Sequence, residues 1–198
     1  MSQFVLGSGS AGRRMILENA GLDFDIRQPQ VDEDALKAEF RSTDEAPVED
    51  LALALARAKA QAVSRAETRP VLGADQILVC EDRVFSKPAD MEEARRNLRF
   101  LRGRTHRLIS ALAVAENGET VWTCIDEARM TMRDFSDAFL DRYLETVGED
   151  ALKSVGCYQI EGPGIQLFEK VDGDWFTIIG LPILPFLDWL RKRGLLPA

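Results

Sequence analysis

The chain has 198 residues, 45% of them hydrophobic and 29% charged, which is room for one compact domain or two small lobes sharing a core and excludes long disorder. Its 25 basic and 33 acidic side chains leave a net charge of −8. That balance disfavours non-specific binding to nucleic acid or an anionic membrane, and a polyphosphate ligand would need a local cluster of cations.

Cys80, Cys124 and Cys157 stand far apart with no CxxC pair, and His106 is the only histidine. Reduced thiols are expected, with no disulfide framework and no zinc set. No apolar run approaches about 18 residues and no leader-like segment opens the sequence, so the expectation is a soluble cytoplasmic protein.

In chain order, Phe4-Val5-Leu6 predicts a short strand that stops at Gly7-Ser8-Gly9-Ser10. A helix follows from about Gly12 to Ala20, closed by Gly21. Phe24 to Val31 reads as extended, and Asp32 to Phe40 as a short acidic helix. Pro47 to Glu67 is the longest predicted helix, with Leu51, Leu55, Ala58 and Ala62 lining one face. Pro70 to Cys80 is an apolar strand interrupted at Asp75-Gln76.

Met91 to Leu101 is helical, with Ala94, Leu98 and Leu101 inward. Arg107 to Ala115 reads as a buried strand, joined through Asn117-Gly118 to a second strand over Thr120–Met132. Ser136 opens a helix with Leu140, Leu144 and Val147 inward. Ile165–Val171 and Trp175–Ile179 read as a second hairpin around Asp172-Gly173, and Pro182 starts a final helix carrying Ile183, Leu187 and Leu190. The pattern predicts a mixed α/β sheet in one or two lobes.

Four groups of residues could carry chemistry. Ser8-Gly9-Ser10-Ala11-Gly12-Arg13-Arg14 lies between a strand and a helix, where backbone N–H groups can approach an anion. Two arginines beside a positive helix end conflict unless an anion sits there. The other reading is a plain Gly/Ser turn with solvated arginines. Asp75 lies in an otherwise buried run, where a carboxylate is costly unless paired, hydrogen-bonded or bound to a cation. The alternative is a turn residue at a strand end.

Lys59 follows Leu55 by four residues and so sits beside the buried face of its helix, while Lys87 precedes Pro88 and is biased to an extended conformation. Either could be surface decoration. With Asp75 and the arginine pair they resemble a triphosphate cradle. Asp32-Glu33-Asp34 offers the hard oxygen ligands that Mg²⁺ or Mn²⁺ requires, or else a solvated charge run. His106 reads as a structural histidine, with no serine or cysteine in its motif to form a nucleophile–base pair.

These segments together resemble the Maf family of nucleoside triphosphate pyrophosphatases. The likeness runs in order through Ser8–Arg14, Val31-Asp-Glu33, Leu55–Ala60, Leu72–Gln76, Ser86-Lys-Pro88, Leu101–His106, Gly156–Gly162 and Gly180-Leu-Pro182. The resemblance implies one domain over residues 1–198, an elongated mixed α/β sheet flanked by helices, and two lobes with a cleft, often as a homodimer. It implies hydrolysis between the α- and β-phosphates of a nucleotide with a divalent metal, as house-cleaning of non-canonical nucleotides.

By the same resemblance Asp75 is the catalytic acid that activates water, and Glu33 and Asp75 are the carboxylates near the metal. Lys59, Lys87, Ser8, Ser10, Arg13 and Arg14 are the phosphate contacts. Gln76 and Glu161 look like the branch acting on 7-methyl-GTP, whereas the dTTP/UTP branch resembles Thr and Gln there. Guanine presents N1–H and N2–H₂ as adjacent donors that the Glu161 carboxylate can accept, and N7-methylation adds positive charge to the ring.

The chain departs from the family at Ala11-Gly12, where Pro and then Arg or Trp are usual, so Gly12 bears on base specificity. The segment Leu152-Lys-Ser-Val-Gly156 departs as well, with Lys153 shifted by one. A pyrimidine-selective or broad pyrophosphatase, a non-catalytic nucleotide-binding regulator of cell division, and a nucleotidyltransferase using the Gly/Ser loop are the competing readings.

Overall fold

The computed structural model describes residues 2–41 and 46–197. Strand β1 (Phe4–Gly7) leads into α1 (Ala11–Asn19), β2 (Phe24–Ile26), α2 (Glu33–Arg41) and the long helix α3 (Val48–Ser64). Next come β3 (Val71–Cys80), β4 (Arg83–Phe85), α4 (Met91–Leu101), β5 (Thr105–Glu116) and β6 (Glu119–Met132). Then α5 (Asp137–Val147), the 3₁₀ turns Gly148–Lys153 and Pro163–Leu167, β7 (Phe168–Asp172), α6 (Trp175–Ile179) and α7 (Ile183–Lys192) complete the order.

Among the described residues the strands form one seven-stranded sheet in the order β2-β1-β3-β5-β6-β7, with β4 paired to β3. Strand β1 is parallel to β2 and β3, whereas β4 and β7 are antiparallel to their partners. The mixed α/β architecture expected from the sequence is the one observed. The Asn117-Gly118 link between β5 and β6 has positive φ at both residues, 52° and 84°, as a two-residue hairpin turn requires. No helix of the described residues is long and apolar enough to cross a membrane.

The chain divides into two compact units, one made of residues 1–76, 110–126 and 180–198, the other of 77–109 and 127–179. In the first, β1 is buried on both faces and packs against α3. Phe4 stacks on Phe24 at 5.6 Å and meets Phe186 edge-on at 5.0 Å. The buried line of α3 is Leu51, Leu55, Ala56, Lys59, Ala60 and Val63. Ala58 and Ala62, expected on that line, are only half-buried. The helix is rotated so that Ala56 and Ala60 face the strand it rests on, with the Ala60 side chain against Gly73.

The second unit has its own core, built from Leu78, Leu98, Leu101, Leu108, Met130, Leu140, Leu144 and Leu167. Its helices start at polar caps: Asp90 Oδ1 accepts from the Glu93 N–H while Glu93 accepts from the Ala89 N–H, and Ser136 Oγ accepts from Phe139.

Three expectations are corrected. Strand β3 is not interrupted at Asp75-Gln76 but runs unbroken for ten residues. Its register with β1 ends at Gly73 and that with β4 begins at Leu78, so the polar pair sits where the strand changes partner. The second predicted hairpin does not exist: Pro163–Leu167 is a 3₁₀ turn, only Phe168–Asp172 is a strand, and Trp175–Ile179 is helical. Asp174 decides the last of these, since its Oδ1 accepts from the N–H groups of Phe176 and Thr177 and starts a helix. The extended stretch after Phe24 ends its pairing at Ile26 rather than reaching Val31.

His106 is buried, with Nε2 2.7 Å from the Tyr158 hydroxyl, and burial lowers its pKa to about 3. The folded chain therefore holds the imidazole neutral where the unfolded chain binds a proton. The resulting stability is complete above about pH 6.5 and is lost as pH falls toward 3. Urea unfolding between pH 6.5 and 4.5 should show a loss of about 1.4 kcal/mol per pH unit at its steepest, and a flatter profile in His106→Phe. Asp25 and Asp137, held low by hydrogen bonds from Arg69 and Arg99, add their loss only below that window. Equal slopes in the two proteins would contradict the buried neutral imidazole.

Candidate active site

Strand β3 and helix α3 meet at a glycine. A Cβ on Gly73 would lie 2.3 Å from the carbonyl oxygen of Ala56 and 2.6 Å from the Ala60 nitrogen, so only glycine lets the helix backbone come this close. That seating brings together Lys59, one residue before Ala60, and Asp75, two residues after Gly73. Lys59 Nζ donates to Asp75 Oδ1 at 2.6 Å, and both side chains are buried. A carboxylate and an ammonium buried at this depth are tolerable because each supplies the other's counter-charge.

Glu33 joins them from the start of α2, its Oε1 2.8 Å from the same Nζ. It also lies 3.8 Å from Lys37, one turn further along. The turn that delivers it is fixed by Asp32, whose Oδ1 accepts from the Ala35 N–H at 2.9 Å. Of the acidic run Asp32-Glu33-Asp34, one residue shapes the helix entry, one reaches the buried lysine, and Asp34 is exposed.

Arg13 is buried, and its hydrogen bonds go to the protein itself. Nε donates to the Gly180 carbonyl at 2.9 Å, and Nη1 donates to the Ala74 carbonyl at 2.8 Å and to Ser8 Oγ at 3.1 Å. Burial lowers its pKa, and the charges of Asp75 and Glu33 oppose that shift. The guanidinium stays charged at any ordinary pH. Arg13 thus ties the loop after β1, the residue preceding Asp75 and the start of the C-terminal segment to one point.

Arg14 points outward and pairs with Glu18 at 2.6 Å. The conflict expected from two arginines at a helix start is resolved without an anion: carbonyls take Arg13 and a carboxylate takes Arg14. Ser10 caps α1, its Oγ accepting from the Arg13 N–H. Ser8 is buried beside the same guanidinium, and Gly12 is the half-buried second residue of the helix.

Gln76 Nε2 donates to the buried Ser110 Oγ at 3.0 Å, which fixes the amide against β5. Thus Ser8, Arg13, Glu33, Lys59, Asp75 and Gln76 all lie in the first unit, with Glu33, Lys59 and Asp75 in direct contact. Lys87 and Glu161 belong to the second unit. Lys87 is exposed in the loop after β4, before the buried Pro88, and Glu161 is exposed in the turn that precedes Pro163.

Sequence reasoning passed over Gly73, Ser110 and the carbonyls of Ala74 and Gly180. A glycine in the middle of a buried strand was a readable sign of close backbone approach. The carbonyl acceptors had no sign, because any residue carries one.

Whether the acidic residues fit a divalent cation can be judged from their donors. Glu33 and Asp75 aim oxygens at a single point that the Lys59 ammonium now holds. Two hard carboxylate donors meeting at a cation-bearing point suit a Mg²⁺-type ion that takes its remaining ligands from phosphate and water. Among the described residues no group of three or more His, Cys, Asp or Glu forms a complete cage.

Residues 3–193 match the family model described as Maf-like protein. A "Nucleoside triphosphate pyrophosphatase" of Caulobacter vibrioides is 47% identical over 99% of this chain and 98% of its own. A "7-methyl-GTP pyrophosphatase" of Rhizobium meliloti is 49% identical over 98% of both chains. Another of that name, from Mesorhizobium japonicum, is 52% identical over 97% of this chain and 96% of its own.

The Gly73 contact can be tested by stability alone. Gly73→Ala should destabilise the fold by about 1–3 kcal/mol, because the methyl group meets backbone that cannot rotate away. Chemical denaturation measures it. A change within about 0.5 kcal/mol would mean that α3 does not rest on β3 at this point.

Proposed function

Since the chain belongs to the Maf-like protein family, we propose that it is a nucleoside triphosphate pyrophosphatase that prefers 7-methyl-GTP. The observation that carries this reading is Asp75 bonded to Lys59 at 2.6 Å, with Glu33 on the same ammonium at 2.8 Å. The names of the relatives support the reaction and the substrate, and the residue types support the mechanism.

In the reaction, water adds across the bridge between the α- and β-phosphates. A P–O bond to water forms, the bridging P–O bond breaks, and a monophosphate and pyrophosphate leave. Asp75 accepts the proton that the water gives up. Lys59 holds Asp75 in place before substrate arrives and then offers its positive charge to the phosphate tail. A divalent ion, Mg²⁺ or Mn²⁺, would be held by Glu33 and Asp75 and would supply charge neutralisation for that tail. The N–H groups at the start of α1, with Ser8 and Ser10, are suited to phosphate oxygens. Arg13 adds buried positive charge nearby while keeping its scaffold bonds.

Lys87 enters the reading by its motif as a further phosphate contact. Gln76 and Glu161 are the base-selecting pair. The Glu161 carboxylate accepts the two adjacent N–H donors of the guanine edge, and the charge added by N7-methylation strengthens the attraction. A uracil or thymine edge lacks that double donor.

Pyrophosphate release from a panel of nucleotides in Mg²⁺ and Mn²⁺ tests the proposal. Turnover of 7-methyl-GTP should exceed that of UTP and dTTP in kcat/KM by about tenfold or more. Asp75→Asn should lower kcat by about 10²- to 10⁴-fold with nucleotide binding retained. The pair of changes Gln76→Thr and Glu161→Gln should shift the preference toward pyrimidines. No pyrophosphate from any nucleotide, or full activity in Asp75→Asn, would overturn the reading.

A further inference from the structure

His106 lies in the second unit on β5, and among the described residues its ring bonds to Tyr158. Its Nε2 meets the Tyr158 hydroxyl at 2.7 Å, and among the described residues its buried Nδ1 has no hydrogen-bond partner. Histidine is a poor choice for packing alone, because an unsatisfied buried nitrogen carries a desolvation cost that an apolar ring would avoid. The one bond it makes is therefore the feature to account for.

Tyr158 is the fixed point of the segment that carries Glu161. Its ring is buried edge-on to Phe168 at 4.8 Å. A Cβ on Gly156 would strike that ring at 2.3 Å, so the chain folds directly over it. Ser154 Oγ accepts from the Tyr158 N–H at 3.0 Å and donates to the Tyr158 carbonyl at 2.6 Å. Cys157, at φ 60°, offers its carbonyl to the Tyr143 hydroxyl at 3.1 Å.

Beyond Tyr158 the chain turns at once. The Gly162 N–H donates to the Gln159 carbonyl at 3.2 Å, and Gly164 presses on Gln159 so closely that a Cβ there would come within 2.5 Å of its oxygen. Glu161 stands exposed inside this turn. Ring, turn and carboxylate are thus connected through backbone contacts with little slack, and only the hydroxyl end of the ring remains to be fixed. His106 fixes it.

We propose that His106 is a positioning residue for nucleotide choice, holding Tyr158 and through it the turn that presents Glu161. The proposal rests on the reading in which Glu161 selects the base. Burial keeps the imidazole neutral, and it pushes the Tyr158 hydroxyl far above its ordinary range. The pair therefore carries no charge near neutral pH, and the bond constrains geometry without altering the field at the base.

The test compares kcat/KM for 7-methyl-GTP with that for UTP in Tyr158→Phe, His106→Phe, the double variant and Glu161→Gln. Tyr158→Phe keeps the ring and removes one oxygen, so it serves if the histidine variant does not fold. Tyr158→Phe and His106→Phe should each lower the 7-methyl-GTP preference by about fivefold, through KM for that nucleotide, and their double variant should lose no more than either alone. A preference unchanged within about twofold in Tyr158→Phe, while Glu161→Gln abolishes it, would overturn the proposal and reduce His106 to a stability role. A preference unchanged in Glu161→Gln would instead remove the base-selection reading, and this proposal with it.

Discussion

One ammonium group organises the first unit. Lys59 Nζ stands 2.6 Å from Asp75 and 2.8 Å from Glu33, and neither Lys59 nor Asp75 could be buried alone at tolerable cost. Three elements must then be placed together: α3 for the lysine, β3 for the aspartate and the first turn of α2 for the glutamate. Gly73 permits the first contact, and Asp32 shapes the turn that permits the last. Arg13 adds a second fixed point by gripping the carbonyl just before Asp75. The aspartate is thereby held in one orientation from its side chain and from its backbone.

On the proposed function, this arrangement lets a chain with a net charge of −8 serve a polyanionic substrate. The cations near the site are few, but they are buried or anchored, and their field is not screened as a surface lysine's would be. Arg13 and Lys59 are both committed to protein acceptors in the resting arrangement. On the proposed function, a phosphate tail reaching Lys59 would replace protein carboxylates on its ammonium, while Arg13 keeps its carbonyl and hydroxyl acceptors.

What the sequence revealed depended on how local the cause was. Asp75 was legible because a carboxylate in an apolar run is an anomaly, and Lys59 because its spacing from Leu55 put it on the inner face. Asn117-Gly118 specified its turn through backbone preference alone. Trp175–Ile179 misled because five residues, four of them apolar, are too few to show a period, and the deciding group, Asp174, lies just outside them. Arg13 was legible only in part, because two of its acceptors lie 61 and 167 residues away in the chain. The His106–Tyr158 bond, spanning 52 residues, was likewise beyond any local pattern.

If Lys59 and Asp75 work as one device, a double-mutant cycle on pyrophosphate release will show it. With Lys59→Met, Asp75→Asn and the double variant compared in kcat, each single change should cost about as much as both together, since either one dismantles the same arrangement. Costs that simply multiply in the double variant would contradict it, and would mean that the two residues act on the nucleotide independently.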